Sequence, residues 1–288
     1  MNPVVLKFGG ELLEDRERVA ALASTIAKLT KKKPLVPLVI VHGGGREIDA
    51  ALARAGIEKR QVDGLRITDE PTLDIVVSVL AGLVNTRFVA ALGAAGVQAV
   101  GLTGADAGIA RVKAAPPHQS TSGTTVDLGR VGEPAGKEIP SLLIDLCRKG
   151  YVPVVSSIGA SRDGELFNVN ADTLAAHLAG RIKSPRLIIA GATAGVLEGD
   201  GSTISEMTPD DMDELIAKGG ATAGMVAKLA ACRSAIGSGA GEVFVADGKD
   251  LPGLAVLARH GRVAGAGKST RIRIGKSARS RKLKKRAS

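Results

Sequence analysis

Short apolar runs alternate along this chain with longer segments whose apolar positions recur every three to four residues, the pattern of buried strands covered by amphipathic helices. Residues 4–8 (VVLKF) read as a strand, 16–31 as a helix, 38–41 as a strand and 46–55 as a helix. In the first helix Val19, Leu22, Ile26 and Leu29 share one face, which predicts packing on a sheet. Residues 72–94 predict a long helix, followed by a short strand over 97–102. From 104 to 140 the periodicity gives way to Gly, Ser, Thr and Pro between short alternating pieces, which predicts antiparallel hairpins at the sheet's edge. A helix over 141–149, a strand over 152–156, a hairpin over 164–168 and a helix opening at Asn170 or Ala171 come next. Beyond a strand at 186–190 the alternation resumes, with helices near 209–218 and 225–236, a strand at 242–246 and a closing strand at 270–274. The class is α/β. No linker-grade break divides it, but polar, glycine-rich strand ends concentrate in the first half. The expected division is a substrate lobe, residues 1–185, and a nucleotide lobe, residues 186–275, sharing one sheet.

Composition narrows the core and the compartment. Hydrophobic residues make up 44% of the chain but aromatics only 2%, so aliphatic side chains and 37 glycines must build a closely packed interior. Cys147 and Cys232 lie far apart without C-x-x-C spacing and read as reduced core residues. No basic segment followed by an apolar one marks a secretory signal. The longest apolar run, residues 75–84 with Ser78 and Gly82 inside it, is short of the roughly 20 residues of a membrane span. A soluble, cytoplasmic protein with no membrane partner is expected. Of the formal charge of +10, seven units belong to residues 276–288, which carry no acid, so the rest of the chain holds only +3. The basicity is that of a solvated tail; a nucleic-acid arm is disfavoured by the scarcity of stacking aromatics but left open.

Five short stretches carry candidate chemistry. KFGGEL and VIVHGGGREI each run a buried strand into glycines and then a helix, so backbone N–H groups and a helix N-terminus approach one crevice as an anion site would require. His42 directly precedes the second glycine run and is placed to orient it. In GLRITDEPTLD, Arg66 suits a bidentate grip on a carboxylate, or an ion pair with Asp69 or Glu70. NVNAD places two amides ahead of Asp172, which reads locally as an N-cap and a first-turn acid. In TAGMVAKLAA, Lys228 opposes the dipole of the helix it opens, a broken local rule that suggests function. GAGKST at 265–270 lacks the first glycine of a P-loop, since residue 262 is arginine, and a strand-like segment follows it. The four histidines have no partners at metal-ligand spacing, so no metal site is expected in the protein itself.

In this order and spacing, KFGGELL, VIVHGGGREID, GLRITDEPTLD, VGLTGADAG, GYVPVVSSIG, FNVNADTLAA, GVLEGDGSTI and GMVAKL resemble the amino acid kinase superfamily, and within it the acetylglutamate kinases, over nearly the whole chain. The resemblance implies a three-layer αβα sandwich around a mostly parallel sheet. It also implies transfer of the γ-phosphoryl group of ATP, with Mg²⁺, to the side-chain carboxylate of N-acetyl-L-glutamate in arginine biosynthesis. By the same resemblance Lys7 and Lys228 stabilise the phosphoryl group in flight and Asp172 holds those lysines. Gly9, Gly10 and Gly43 would bind that group, and Gly44, Gly45, Arg66 and Asn168 the substrate. Nucleotide contacts would come from Ala192, Thr193, Ala194, Gly195, Val196 and Leu197 and from Gly220, Ala221 and Thr222. Two departures stand out. Ala192 occupies the place of a family aspartate that lines the nucleotide site, and the basic tail has no family counterpart. The chain also starts at its first strand, without the extra helix that resembles a hexamer-forming element of arginine-inhibited relatives, so an arginine-insensitive homodimer is expected. Rival readings are a kinase of the same fold acting on carrier-protein-linked aminoadipate or glutamate, and a non-catalytic sensor.

Overall fold

Alternation along the first strand decides the architecture. The computed structural model describes residues 2–120, 122–261 and 269–273; the basic tail and most of GAGKST lie outside them. The chain begins β1 (Val4–Phe8), α1 (Arg16–Lys31), β2 (Leu38–His42), α2 (Gly45–Arg54) and a small hairpin, β3 (Gln61–Val62) with β4 (Leu65–Arg66). Next come α3 (Glu70–Val77), a π-helical stretch (Ser78–Val84) and α4 (Asn85–Ala94), then β5 (Ala99–Thr103), β6 (Val112–Ala114), β7 (His118–Gln119), β8 (Thr125–Val126) and β9 (Val131–Pro134). The middle holds α5 (Ser141–Arg148), β10 (Val152–Ser156), β11 (Ile158–Ala160), β12 (Leu166–Val169) and α6 (Ala171–Arg181). The last part runs β13 (Arg186–Gly191), β14 (Glu206–Met207), α7 (Pro209–Ala217), α8 (Ala223–Gly237), β15 (Glu242–Asp247), α9 (Leu251–His260) and β16 (Ser269–Ile272).

Eight strands form one sheet in the order β14-β16-β15-β13-β1-β2-β10-β5. All its pairings are parallel except β15 with β16. Because successive strand residues face opposite sides, Val4, Leu6 and Phe8 join one core layer with Leu22, Ile26 and Leu29 of α1, Phe88 and Leu92 of α4, and Leu254 and Leu257 of α9. Val5 joins the other layer, with Leu143 of α5, Leu174 and Leu178 of α6, and Leu229 and Cys232 of α8. The result is an αβα sandwich. Lys7 shares the face of Val5, so its side chain rises under α6 and α8. Each fully buried leucine or isoleucine in these layers contributes roughly 1.5–3 kcal/mol of burial free energy.

Four sequence-based expectations change. The region 104–140 does not edge the main sheet; it supplies two strands, β6 and β9, of a separate four-stranded sheet, β11-β12-β9-β6, in which β12 and β9 run parallel. The long helix opens at Glu70, where the Asp69 carboxylate accepts the N–H of Thr72. That helix, Glu70–Ala94, is 25 residues long and apolar enough by length and composition to cross a membrane; counting only uninterrupted apolar residues missed it. Its Leu73, Val76, Leu80, Phe88 and Leu92 are buried in the domain, as in a core helix. Finally, α9 went unassigned although Asp250 caps it and a proline sits in its first turn. Both cysteines are free thiols.

Candidate active site

The carboxyl ends of β1, β2 and β13 lie side by side, with Phe8 in register with His42 on one side and Ala190 on the other. Each strand therefore delivers its glycines to one place. A β-carbon on Gly10 would lie 2.7 Å from Gly44 Cα and 3.0 Å from Gly45 N, so the two glycine loops touch through backbone alone. A β-carbon on Gly44 would meet Leu80 Cδ2 at 2.8 Å, so the π-helical stretch closes this loop from behind. Gly43 is half-buried at the end of β2, and Gly44 precedes α2 with no side-chain cap, leaving the helix's first turn turned toward the crevice.

His42 braces the loop from the opposite side of the sheet. Its Nδ1 lies 3.0 Å from Gly43 O and its Nε2 3.0 Å from Asn85 Nδ2, whose other hydrogen goes to Val154 O at 2.9 Å. With Asn85 donating, Nε2 must be the acceptor, so the imidazole is neutral. Burial lowers its pKa from 6.5 to about 4, against a smaller opposing pull from the Gly43 carbonyl.

Over these glycines stands a charge cluster. Lys7 Nζ is 2.8 Å from Asp172 Oδ1, and both side chains are nearly enclosed. Asp172 sits in the first turn of α6, whose N-cap is Asn170, accepting from the N–H groups of Asp172 and Thr173. Burial works against ionisation of Asp172, but Lys7 and then Lys228 outweigh it and hold the carboxyl below the usual aspartate range. Lys228 reaches the cluster from α8. A β-carbon on Gly191 would lie 3.0 Å from its Nζ, so the missing side chain at the end of β13 makes its room.

Arg66 closes the other end. It pairs with Asp49 of α2 and donates to Gly45 O at 3.3 Å, while its buried Nη1 has no protein partner. Asp69 and Glu70, the expected local partners, instead pair with Arg60 and Arg130. Asp49 is held ionised by Lys59 and Arg66 against partial burial. Asn168 on β12 donates to Thr68 Oγ1 at 3.2 Å, which brings it to the strand of chain that follows Arg66.

The loops expected to meet nucleotide are more open. Ala192 and Thr193 are exposed, Ala194 is half-buried and Leu197 is 37% exposed. Gly195 takes φ +89° against Thr270, and the N–H of buried Val196 donates to Thr270 Oγ1 at 2.8 Å, so these two anchor the loop. Gly220 packs on Leu215, Ala221 is half-buried, and Thr222 caps α8. Local reading missed Asp49, Asn85 and Glu11, whose partners or neighbours are distant in sequence; the carboxylate in KFGGELL was the visible sign of the last.

Residues 2–247 match the model of the amino acid kinase family. The chain belongs to that family. Within it, the chain is 42% identical over 244 residues to the acetylglutamate kinase of Methanopyrus kandleri, covering 84% of this chain and 93% of that one. It is 38% identical to the acetylglutamate kinase of Dinoroseobacter shibae, covering 85% and 82%. Among solved structures, N-acetylglutamate synthase from Neisseria gonorrhoeae superposes with a TM-score of 0.78 at 23% identity, over 96% of this chain but 60% of that longer one. Carbamate kinase from Giardia lamblia gives 0.65 at 17%, over 95% and 99%. At those identities the structural likeness concerns the fold.

Proposed function

We propose that this chain phosphorylates the side-chain carboxylate of N-acetyl-L-glutamate with ATP, giving N-acetylglutamyl 5-phosphate in arginine biosynthesis. The observation that carries the reading is the pair Lys7 and Lys228, converging on Asp172 above a floor made only of glycine backbone. The acceptor carboxylate is already ionised at neutral pH, so no general base is required. What phosphoryl transfer needs is alignment and neutralisation of charge. Gly10, Gly44 and Gly45 offer N–H groups to the phosphoryl oxygens, whereas those of Gly9 and Gly43, expected to join them, donate to Ala190 O at 3.1 Å and Phe8 O at 3.3 Å and tie the loops to the neighbouring strands. Lys7 faces the phosphoryl group from the strand, and Lys228 faces it from α8. The Asp172 carboxylate fixes Lys7 and is shared electrostatically with Lys228, so both ammoniums stay aimed inward. The unpartnered Nη1 of Arg66, with Asn168 nearby, is suited to the substrate's α-carboxylate.

The phosphates of a nucleotide would lie beside Gly191, whose missing side chain leaves room next to Lys228 Nζ, with the base toward residues 192–197 and 220–222. Mg²⁺ would enter with the nucleotide and, when bound, would offset phosphate charge. We divide the chain into an acceptor lobe, 1–185, and a nucleotide lobe, 186–275. Homodimerisation is supported by β5 at the outer edge of the sheet and by the exposed face of the Glu70–Ala94 helix, where Ser78, Gly82, Leu83, Thr86 and Ala90 are uncovered. Trapping the acyl phosphate with hydroxylamine, in the presence of ATP, Mg²⁺ and N-acetylglutamate, tests the reading. Hydroxamate should form with the free acetylated substrate in preference to glutamate or carrier-linked acceptors; its absence would refute the assignment.

A further inference from the structure

One carboxylate at the phosphoryl end of the crevice has no work in the account so far. Glu11 follows the glycines of β1, and its side chain folds back over them. A β-carbon on Gly9 would fall 2.3 Å from each Glu11 carboxylate oxygen. One on Gly191 would fall 3.5 Å from Glu11 Oε1 and 3.0 Å from Lys228 Nζ, so acid and ammonium border the same point at the end of β13. The neighbouring acids are committed elsewhere. Asp172 pairs with Lys7, Asp247 accepts the N–H of Lys249 at 2.9 Å, and Glu14 pairs with Arg46 at 3.0 Å. Glu11 uses its backbone carbonyl to accept Arg18, but its side chain makes no hydrogen bond or ion pair with the described residues.

A lone carboxylate beside a phosphate-binding floor is unfavourable unless a cation comes between them, since like charges repel most strongly where water is sparse. Mg²⁺ at such sites keeps several waters and takes one or two carboxylates together with phosphate oxygens, instead of a full protein cage. The protein side of that description is what Glu11 supplies. We propose that Glu11 is this chain's carboxylate ligand, directly or through one water, to the divalent cation that arrives with the nucleotide. The inference rests on the phosphoryl-transfer reading above. It also gives Gly9 and Gly191 a shared reason to lack side chains, because each leaves the space that the Glu11 carboxylate and its cation would occupy.

The test is calorimetric binding of ADP to the whole protein with Mg²⁺, with Cd²⁺ and with chelator, for the native chain, Glu11→Gln and Glu11→Cys. The native chain should bind ADP more tightly with Mg²⁺ than without metal. Glu11→Gln should lose roughly tenfold or more of that preference, the scale of a disturbed metal environment, with metal-free ADP binding unweakened. Glu11→Cys should recover tight binding with Cd²⁺ but not with Mg²⁺, since a thiolate selects the softer ion. The native thiols would not compete, because burial pushes Cys147 up to about 12 and raises Cys232 further. Two results would overturn the proposal: an unchanged Mg²⁺ preference in Glu11→Gln, or an equal loss with and without metal, which would make Glu11 a partner of Lys228 alone. A native chain that binds no ADP would instead sink the phosphoryl-transfer reading itself.

Discussion

The two sides of the crevice, which we assign one to the acceptor and one to the nucleotide, are built differently. On the acceptor side, the loops after β1 and β2 meet backbone to backbone, with Gly10 against Gly44 and Gly44 against Leu80, and His42 and Asn85 lock the strand end beneath them. On the nucleotide side, residues 192–194 are exposed or half-buried, and the loop is held chiefly through Thr270, with Gly199 and Gly201 in open space. Pre-formed N–H groups matter where charge develops in the transition state, whereas a loop that admits and releases a nucleotide gains from looser anchoring. The contrast also separates the lysines. Lys7 is part of a buried ion pair, while Lys228 is half-buried and is not ion-paired with Asp172 at close range.

The sharpest way to break this comparison is to crowd each side with one methyl group. Gly10→Ala has no flexible neighbour to displace, since its obstacles are the Gly44 Cα and the Gly45 N. It should cost about 2 kcal/mol or more in denaturant unfolding and abolish measurable turnover. Lys7→Ala should come next. Removing one partner of a buried pair leaves Asp172 uncompensated, a loss of about 3 kcal/mol in stability in addition to the loss of rate. Lys7→Ala as stable as the native chain would show that the pair serves chemistry alone.

Acid should weaken the acceptor side in a defined window. His42 and His177 both have pKa values lowered from 6.5 to about 4, chiefly by burial. A lowered histidine means the unfolded chain takes up the proton first, so their contribution is complete above pH 6.5 and is lost as pH falls toward 4. The loss is on the order of 2–3 kcal/mol for each, visible as a falling denaturant midpoint. Asp172 acts in the opposite range of its own chemistry: its lowered carboxyl stabilises the fold above the ordinary aspartate value of 3.8 and gives that up only below it. A midpoint flat from pH 7 to pH 4.5 would contradict the burial of both imidazoles. The smallest effect belongs to Gly199→Ala, where nothing lies within 4 Å of the new methyl; it should stay within about 0.5 kcal/mol of the native chain.

How much of this was legible along the chain follows from how local each signal is. Strands β1 and β10 and helix α1 match the reading residue for residue, because a strand buried on both faces and a capped amphipathic helix declare themselves within a few residues. Their alternation gave the α/β class, and the family resemblance the αβα layering. The second sheet came from neither, because β12 pairs with β9 across a helix and two strands, and weak alternation cannot say which sheet a strand joins. The π-helical stretch Ser78–Val84 had no local mark. In the site, the glycine floor was visible as two strand–glycine–helix junctions and Lys228 as a broken local rule, while the role of Lys7 came with the family resemblance. Arg66's true partner, Asp49, was not visible, since it lies 17 residues away on α2, and neither was Glu11, whose position depends on the open space above Gly9.

The central claim, that Lys7, Asp172 and Lys228 together form the phosphoryl-transfer centre, is tested most directly by steady-state kinetics of Lys228→Ala at saturating MgATP. Lys228 makes no ion pair within 4 Å among the described residues, and Lys7 still neutralises Asp172 without it, so folding should survive while rate does not. The account predicts a fall in kcat of about a hundredfold or more, the cost of losing one transition-state donor, with the KM for N-acetylglutamate changed only a few-fold. Near-native kcat in a folded Lys228→Ala protein would contradict it.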